Sequence, residues 1–478
     1  MTFLGVAMGN GLLIKGVTVL TFPNGLGKQV DILVEDGLLK RIEPGQSAGG
    51  AEVVDASGCV AAPGLIEIHA HLREPGMEYK EDVSSGSRAA ACGGYTAVFC
   101  MPNTEPAIDN SAVAEYVFDR GVDEGLCMVL PHGAITRGRK GQTLAPMGEM
   151  GNCRAGVIGF SDDGSPVGDS EIMRRAMEYA RTMNALIISH SEEESLSAGG
   201  QMNEGYYSTF LGLRGIPAEA EQIGVFRDIC LAEKTGARLH LAHISTAGSV
   251  ELVRTAKRRG LPVTCEAAPH HFCLNDSELM AYDTNMKMNP PLRSQKDVEA
   301  LLDGFADGTI DVIATDHAPH APHEKDTEFD RAEFGVVGLE TCLALVVTRL
   351  VEPGVLSLAE AIDKLTAKPA GIMRMERWNY RPVVEEGAPA NLVIFNPGLE
   401  WTIDSSAFKS RARNTPYDGW KVRGKVLHTV FKGRLVVRDA ELVNGPKGAA
   451  TGQAQSVDAD TTRSAERKAS TAALRPGE

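Results

Sequence analysis

Gly64-Leu65-Ile66-Glu67-Ile68-His69-Ala70-His71-Leu72-Arg73 is a short apolar run that ends in two histidines and an arginine. In a strand, side chains at i and i+2 share a face, so His69 and His71 can grip one ion together. A second run, Ile310-Asp311-Val312-Ile313-Ala314-Thr315-Asp316-His317-Ala318-Pro319-His320, ends in an aspartate far later in the chain. Asp316 can complete the same site only if the sheet curls back on itself. The pair of runs suggests a metal-dependent hydrolase built on a closed barrel.

Between these two runs the pattern of strand, polar loop and helix repeats. Apolar runs lie at 65–69, 96–101, 127–135, 156–160, 186–189, 239–243, 263–267 and 312–314, and helical composition lies at 170–184, 218–235, 248–260 and 295–307. Continuous apolar strands alternating with helices indicate a parallel sheet buried on both faces. Eight such units match an α/β fold of the (β/α)8 TIM type, with a doubly wound open sheet as the plainer alternative. Polar residues after nearly every strand favour the barrel, which gathers them at one mouth.

Shorter strands separated by turns flank this region, at 12–20, 29–35, 38–42 and 53–62 before it and at 390–396 and 420–437 after it. Neither set alone makes a good core, so both should meet in one small β-sandwich. The expected organisation is 1–62 and 376–442 for that sandwich, 63–375 for the barrel and 443–478 for a disordered tail. The tail is Ala, Gly, Ser, Thr and Gln with mixed charge and almost no large apolar side chains.

The formal net charge of −15 argues against nucleic acid and anionic membranes as partners, since both call for basic patches. No stretch approaches the apolar length of a membrane span, and no basic segment followed by an apolar run marks a secretory leader. The 9 cysteines include no Cys-x-x-Cys pair and read as reduced thiols, so the cytoplasm is the expected compartment.

Two further histidines end apolar runs: His190 after Ile187-Ile188-Ser189, and His243 after Leu241-Ala242. Asp162 follows Val157-Ile158-Gly159-Phe160-Ser161, and Asp316 follows Val312-Ile313-Ala314-Thr315. Four imidazoles and two carboxylates at strand ends are the ligand types that zinc prefers. They also suffice for two ions sharing a bridging carboxylate and a bridging water. His320 reads as a substrate contact or a support to the site, and His270 and His271 as either structural or substrate-facing. His132, His240, His317, His323 and His428 read as structural.

Taken with Glu74-Pro75-Gly76 after the first run, Met101-Pro102-Asn103-Thr104, Phe160-Ser161-Asp162-Asp163-Gly164 and Lys287-Met288-Asn289-Pro290-Pro291-Leu292-Arg293, these motifs resemble the bacterial type I dihydroorotases of the amidohydrolase superfamily. The resemblance runs from about residue 10 to 440. It implies zinc-dependent, reversible interconversion of N-carbamoyl-L-aspartate and L-dihydroorotate in pyrimidine biosynthesis. Residue by residue, it implies His69 and His71 on one zinc, His190 and His243 on the other, and Asp162 as the bridge. Asp316 would sit beside the first zinc as general acid and base. Arg73, Asn103 and Asn289 would hold the substrate carboxylate and ring, with His320 as a further contact. It also leaves room for a homodimer and for association with aspartate transcarbamoylase.

Many relatives bridge their metals with a carboxylated lysine, but the run 156–164 has no lysine, and Asp162 brings a carboxylate directly. Asp163 would point to the opposite side if the extended run continues through it. Two rival functions remain. The first is another cyclic amidohydrolase, an allantoinase or dihydropyrimidinase; Arg73 and the 287–293 string speak against it by favouring a substrate that carries a carboxylate. The second is a non-catalytic scaffold for a transcarbamoylase, which would be expected to have lost ligands that are all present here.

Overall fold

The computed structural model describes residues 11–443, so nearly all of the expected tail lies outside the described residues. Eight short strands pair in parallel, one after another. They are Leu65–Ala70, Tyr95–Cys100, Met128–Pro131, Gly159–Phe160, Leu186–Ser189, Arg238–Leu241, Val263–Ala267 and Val312–Ile313. Single parallel bridges join the remaining neighbours, Gly133 with Phe160 and Ala70 with His317. The last bridge brings the end of the eighth strand back to the first, so the pairings form a ring. That closure carries Asp316 to the two histidines of the opening motif.

Helices follow the strands, including Val83–Cys92, Ser111–Glu124, Ser170–Met183, Ala218–Thr235, Ala247–Arg258 and Gln295–Ala306. Their starts obey capping chemistry: Asn110 accepts from the Val113 N–H, and Ser294 with Asp297 forms a reciprocal box. Asn184 ends the helix Ser170–Met183 in the left-handed region at φ 54°. Among the described residues no helix is long and apolar enough to cross a membrane.

The flanking strands join one nine-stranded sheet, in which the C-terminal strand Leu392–Thr402 pairs antiparallel with Val60–Pro63. Both terminal segments therefore build the same sheet. Ile14, Ile32, Leu39, Val54, Ala61, Leu392 and Val430 form its own core. Val60, Ala62, Val393 and Phe395 instead face the ring's core, so the two parts share a buried boundary.

Several strands are shorter than their apolar runs. The 53–62 run splits into Glu52–Asp55 and Val60–Pro63, with a turn between them at Ser57-Gly58. The 127–135 run pairs only over Met128–Pro131, and the 156–160 run only over Gly159–Phe160. Gly159 has a packing reason: a Cβ there would stand 2.4 Å from His132 Nδ1, inside the ring. His132 is spent on the fold, its Nε2 bonding the Ile68 carbonyl oxygen at 3.0 Å, and burial pulls its pKa down to about 4.

Candidate metal centre and substrate site

His69 lies within the first ring strand and His71 just beyond its end, both buried. The next strands contribute by their C-terminal loops: Asp163 after the fourth, His190 after the fifth, His243 after the sixth and Asp316 after the eighth. Three residues here hold left-handed backbone that non-glycine residues avoid: Arg73 at φ 61°, His243 at φ 29° and Asp316 at φ 47°. Such conformations cost about 1–3 kcal/mol each and persist where surrounding contacts over-determine them. The His71 N–H donating to the His317 carbonyl at 2.8 Å is one such contact.

At the centre stands Asp163. Its Oδ1 lies 3.4 Å from His69 Nε2, 3.4 Å from His243 Nε2 and 3.7 Å from His190 Nδ1, and its Oδ2 lies 3.6 Å from His71 Nε2. Asp316 Oδ1 approaches the first pair, 3.2 Å from His71 Nε2 and 3.6 Å from His69 Nε2. Among the described residues two groups could each hold an ion, His69 with His71 and Asp316, and His69 with Asp163 and His243. His190 completes the cluster at 3.0 Å from His243.

Asp162 corrects the sequence expectation. Its Oδ1 accepts from the Ile135 N–H at 2.8 Å and the Thr136 N–H at 3.1 Å, and its other oxygen from the Thr136 hydroxyl. The carboxylate therefore ties the loop after the third strand and stands apart from the imidazoles. The expectation assumed that strand alternation runs through residue 163. Pairing stops at Phe160, the backbone turns at Asp163-Gly164, and the side chain of Asp163 swings into the ring instead.

Electrostatics favour a cation. Burial would raise the Asp163 carboxyl, but the charge of His69 and the neighbouring His190 and His243 imidazoles hold it well below its usual range. Burial likewise opposes ionisation of Asp316, yet His71, His69 and His243 keep its pKa low. Burial works against a charged His190, but Asp163 and Glu192 push its pKa up to about 10. Surroundings that draw protons onto imidazoles also draw metal ions. The buried His69 Nε2 and Asp163 Oδ1 have no hydrogen-bond partner, as expected of atoms kept for coordination. The donor set thus fits a metal.

The remaining expected residues surround this cluster. Arg73 is buried, with its Nε donating to the Pro319 carbonyl at 3.2 Å and its Nη2 3.4 Å from His320 Nε2. His320 also sits 3.4 Å from Lys80 Nζ and bonds the Phe334 carbonyl at 2.8 Å. Burial, then the charges of Arg73, Lys80 and Lys325, pull its pKa down to about 2, so the ring is neutral. Asn103 Oδ1 accepts from His71 Nδ1 at 2.8 Å, which fixes the plane of that imidazole. Asn289 Nδ2 lies 3.5 Å from both His190 and Glu192. His270 Nε2 stands 3.9 Å from Asp316, and His271 is committed to the Pro290 carbonyl.

Sequence reasoning missed Lys80, which lies in a polar loop with no motif of its own. It also passed over Glu266, whose charge on an otherwise apolar strand was the available signal.

A family model described as dihydro-orotase-like matches residues 58–249. A dihydroorotase from Pelotomaculum thermopropionicum is 51% identical over 428 residues, covering 90% of this chain and 99% of its own. One from Geobacter sp. (strain M21) is 49% identical over 426 residues, covering 89% of this chain and 99% of its own. Among solved structures, the L-hydantoinase (dihydropyrimidinase) from Arthrobacter aurescens matches with a TM-score of 0.80 at 24% identity, over 90% of this chain and 97% of that one. That last likeness speaks for a shared α/β fold.

Proposed function

We propose that this chain, which belongs to the dihydroorotase family, interconverts N-carbamoyl-L-aspartate and L-dihydroorotate at a zinc centre. The observation that carries the reading is Asp163 ringed by four imidazoles, with Asp316 on one side and the Arg73–His320 cluster nearby. Relatives near 50% identity are named dihydroorotases, whereas the hydantoinase likeness rests on 24%, so the family reading outweighs the other cyclic amidohydrolases. A scaffold role is disfavoured because every expected imidazole and a central carboxylate are present.

In this reading the ring of parallel strands is a (β/α)8 barrel of the TIM type, and the nine-stranded sheet, folded about its own core, is a small β-sandwich. Asp163, in place of Asp162, would supply the carboxylate shared between the metal positions. His69 and His71 would hold one ion and His190 and His243 the other, with Asp316 beside the first pair. When bound, zinc supplies a nucleophile at neutral pH and a Lewis acid for the amide carbonyl.

The chain's own groups do the rest. Arg73 has spent its Nε–H on Pro319, and its paired Nη groups suit the substrate carboxylate. The Asn103 amide nitrogen adds a donor beside it. In the hydrolytic direction, Asp316 takes a proton from the attacking water and delivers it to the ring nitrogen as the C–N bond breaks. In ring closure the same carboxyl group accepts the ureido proton and returns it to the departing hydroxide. A positioned proton carrier of this kind is worth roughly 10²–10⁴-fold. The 9 free thiols accord with a cytoplasmic setting. The test is turnover of L-dihydroorotate against allantoin and dihydrouracil by the zinc-loaded chain. Preference for either of the latter would overturn the substrate assignment.

A further inference from the structure

Beneath the metal cluster lies a hydrogen-bonded column that the reaction does not use. Glu266, buried on the seventh ring strand, places Oε1 2.5 Å from His69 Nδ1 and Oε2 3.0 Å from His240 Nε2. His240 lies on the sixth strand opposite Thr264, and its Nδ1 meets the Thr264 hydroxyl at 2.8 Å. Thr264 and Glu266 are two apart on one strand, so both point the same way. The column runs Thr264, His240, Glu266, His69.

Each contact has one donor and one acceptor if the carboxylate is ionised. The Thr264 hydroxyl bonds His240 Nδ1 and also reaches the Leu239 carbonyl at 3.4 Å, His240 donates through Nε2 to Glu266, and His69 donates through Nδ1 to the other oxygen. The His243 N–H adds to Oε1 at 3.3 Å. With its Nδ1 proton held by Glu266, His69 must present the Nε2 lone pair, and Nε2 is the atom left without a partner beside Asp163 and Asp316. None of the other three imidazoles has a carboxylate behind it at so short a distance. His71 leans on the neutral Asn103 amide, His190 is 3.9 Å from Glu192, and His243 Nδ1 has no partner.

We propose that Glu266, clamped by His240, is a positioning residue that fixes the tautomer and ring plane of His69 and thereby sets the affinity of the ion held by His69 and His71. The inference rests on the zinc-centre reading above. Glu266 does not touch substrate, because both its oxygens are committed below the ligand layer. Carboxylates behind metal-bound histidines raise ligand basicity, and their loss costs 10–100-fold in metal affinity. The asymmetry among the four imidazoles makes the effect specific: Glu266→Gln should weaken one ion and spare the other.

The experiment uses full-length chains stripped of metal and titrated with zinc against a chromophoric chelator. Cobalt(II) spectra and apo-protein melting are recorded in parallel. The unaltered chain should show two binding steps. Glu266→Gln should lose about 10–100-fold in one step, with a shifted cobalt band and an unchanged apo melting temperature. His240→Gln should show a smaller loss in the same step. Wild-type zinc affinity in Glu266→Gln overturns the proposal, as does an affinity loss matched by an equal fall in apo stability. Should Glu266→Gln fail to fold, His240→Gln decides by the same criterion. Absence of zinc binding by the unaltered chain would instead overturn the zinc-centre reading itself.

Discussion

Two neighbouring aspartates offer a sharp contrast, since one sequence motif carries both and the structure sends them to different tasks. Asp163 is the one carboxylate among the described residues within 3.7 Å of all four imidazoles. Asp163→Ala therefore removes a direct ligand to both proposed ions. The loss in zinc affinity should exceed the 10–100-fold typical of a group one layer further out, so about 100-fold or more. Asp162→Ala instead strands the buried Ile135 and Thr136 N–H groups. At about 1–3 kcal/mol for each unsatisfied donor, the fold should lose about 2–6 kcal/mol. The Thr136 hydroxyl also accepts from the Gly141 N–H at 2.9 Å, so the damage should centre on this loop. The assay pairs zinc content after gel filtration with thermal melting. Expected are a zinc-poor, well-folded Asp163→Ala and a less stable Asp162→Ala that still takes up zinc at low temperature. Zinc loss in the Asp162 variant with retention in the Asp163 variant would refute the reasoning.

Three further outcomes are expected. Asp316→Asn should keep the fold and zinc but lose nearly all turnover in both directions; retention of more than about a tenth of the rate would remove Asp316 from proton transfer. Arg73→Lys should raise KM strongly, because charge remains while the fork geometry goes; an unchanged KM with lowered kcat would move Arg73 from binding to chemistry. Reconstitution of the metal-free chain with zinc should be indifferent to bicarbonate, since the proposed bridging carboxylate is an aspartate that needs no carbon dioxide; stimulation by bicarbonate would contradict that bridge.

Much of the site was legible because strand geometry is periodic. His69 and His71 share a face by spacing alone, and His190, His243 and Asp316 each follow an apolar run that becomes a ring strand. The choice between Asp162 and Asp163 failed because it depends on the residue at which pairing stops. No propensity marks that point, and the loop donors at Ile135 and Thr136 settle it from another part of the chain. The same limit applies to Asn103, whose carbonyl oxygen is claimed by His71 across a ring neighbour. Glu266 was passed over because a lone carboxylate on an apolar strand gains meaning only once His69 and His240 flank it. The joining of the terminal strands was legible from their inadequate separate cores, whereas the break within 53–62 reflects a turn that apolar content concealed.

The most direct test is an anomalous difference map recorded at the zinc edge from crystals of the zinc-loaded chain. Two peaks are expected, each at about 2.0–2.2 Å from an Asp163 oxygen, one beside His69 and His71 and the other beside His190 and His243. Peaks against Asp162, or none among these imidazoles, would contradict the metal centre on which the proposed activity rests.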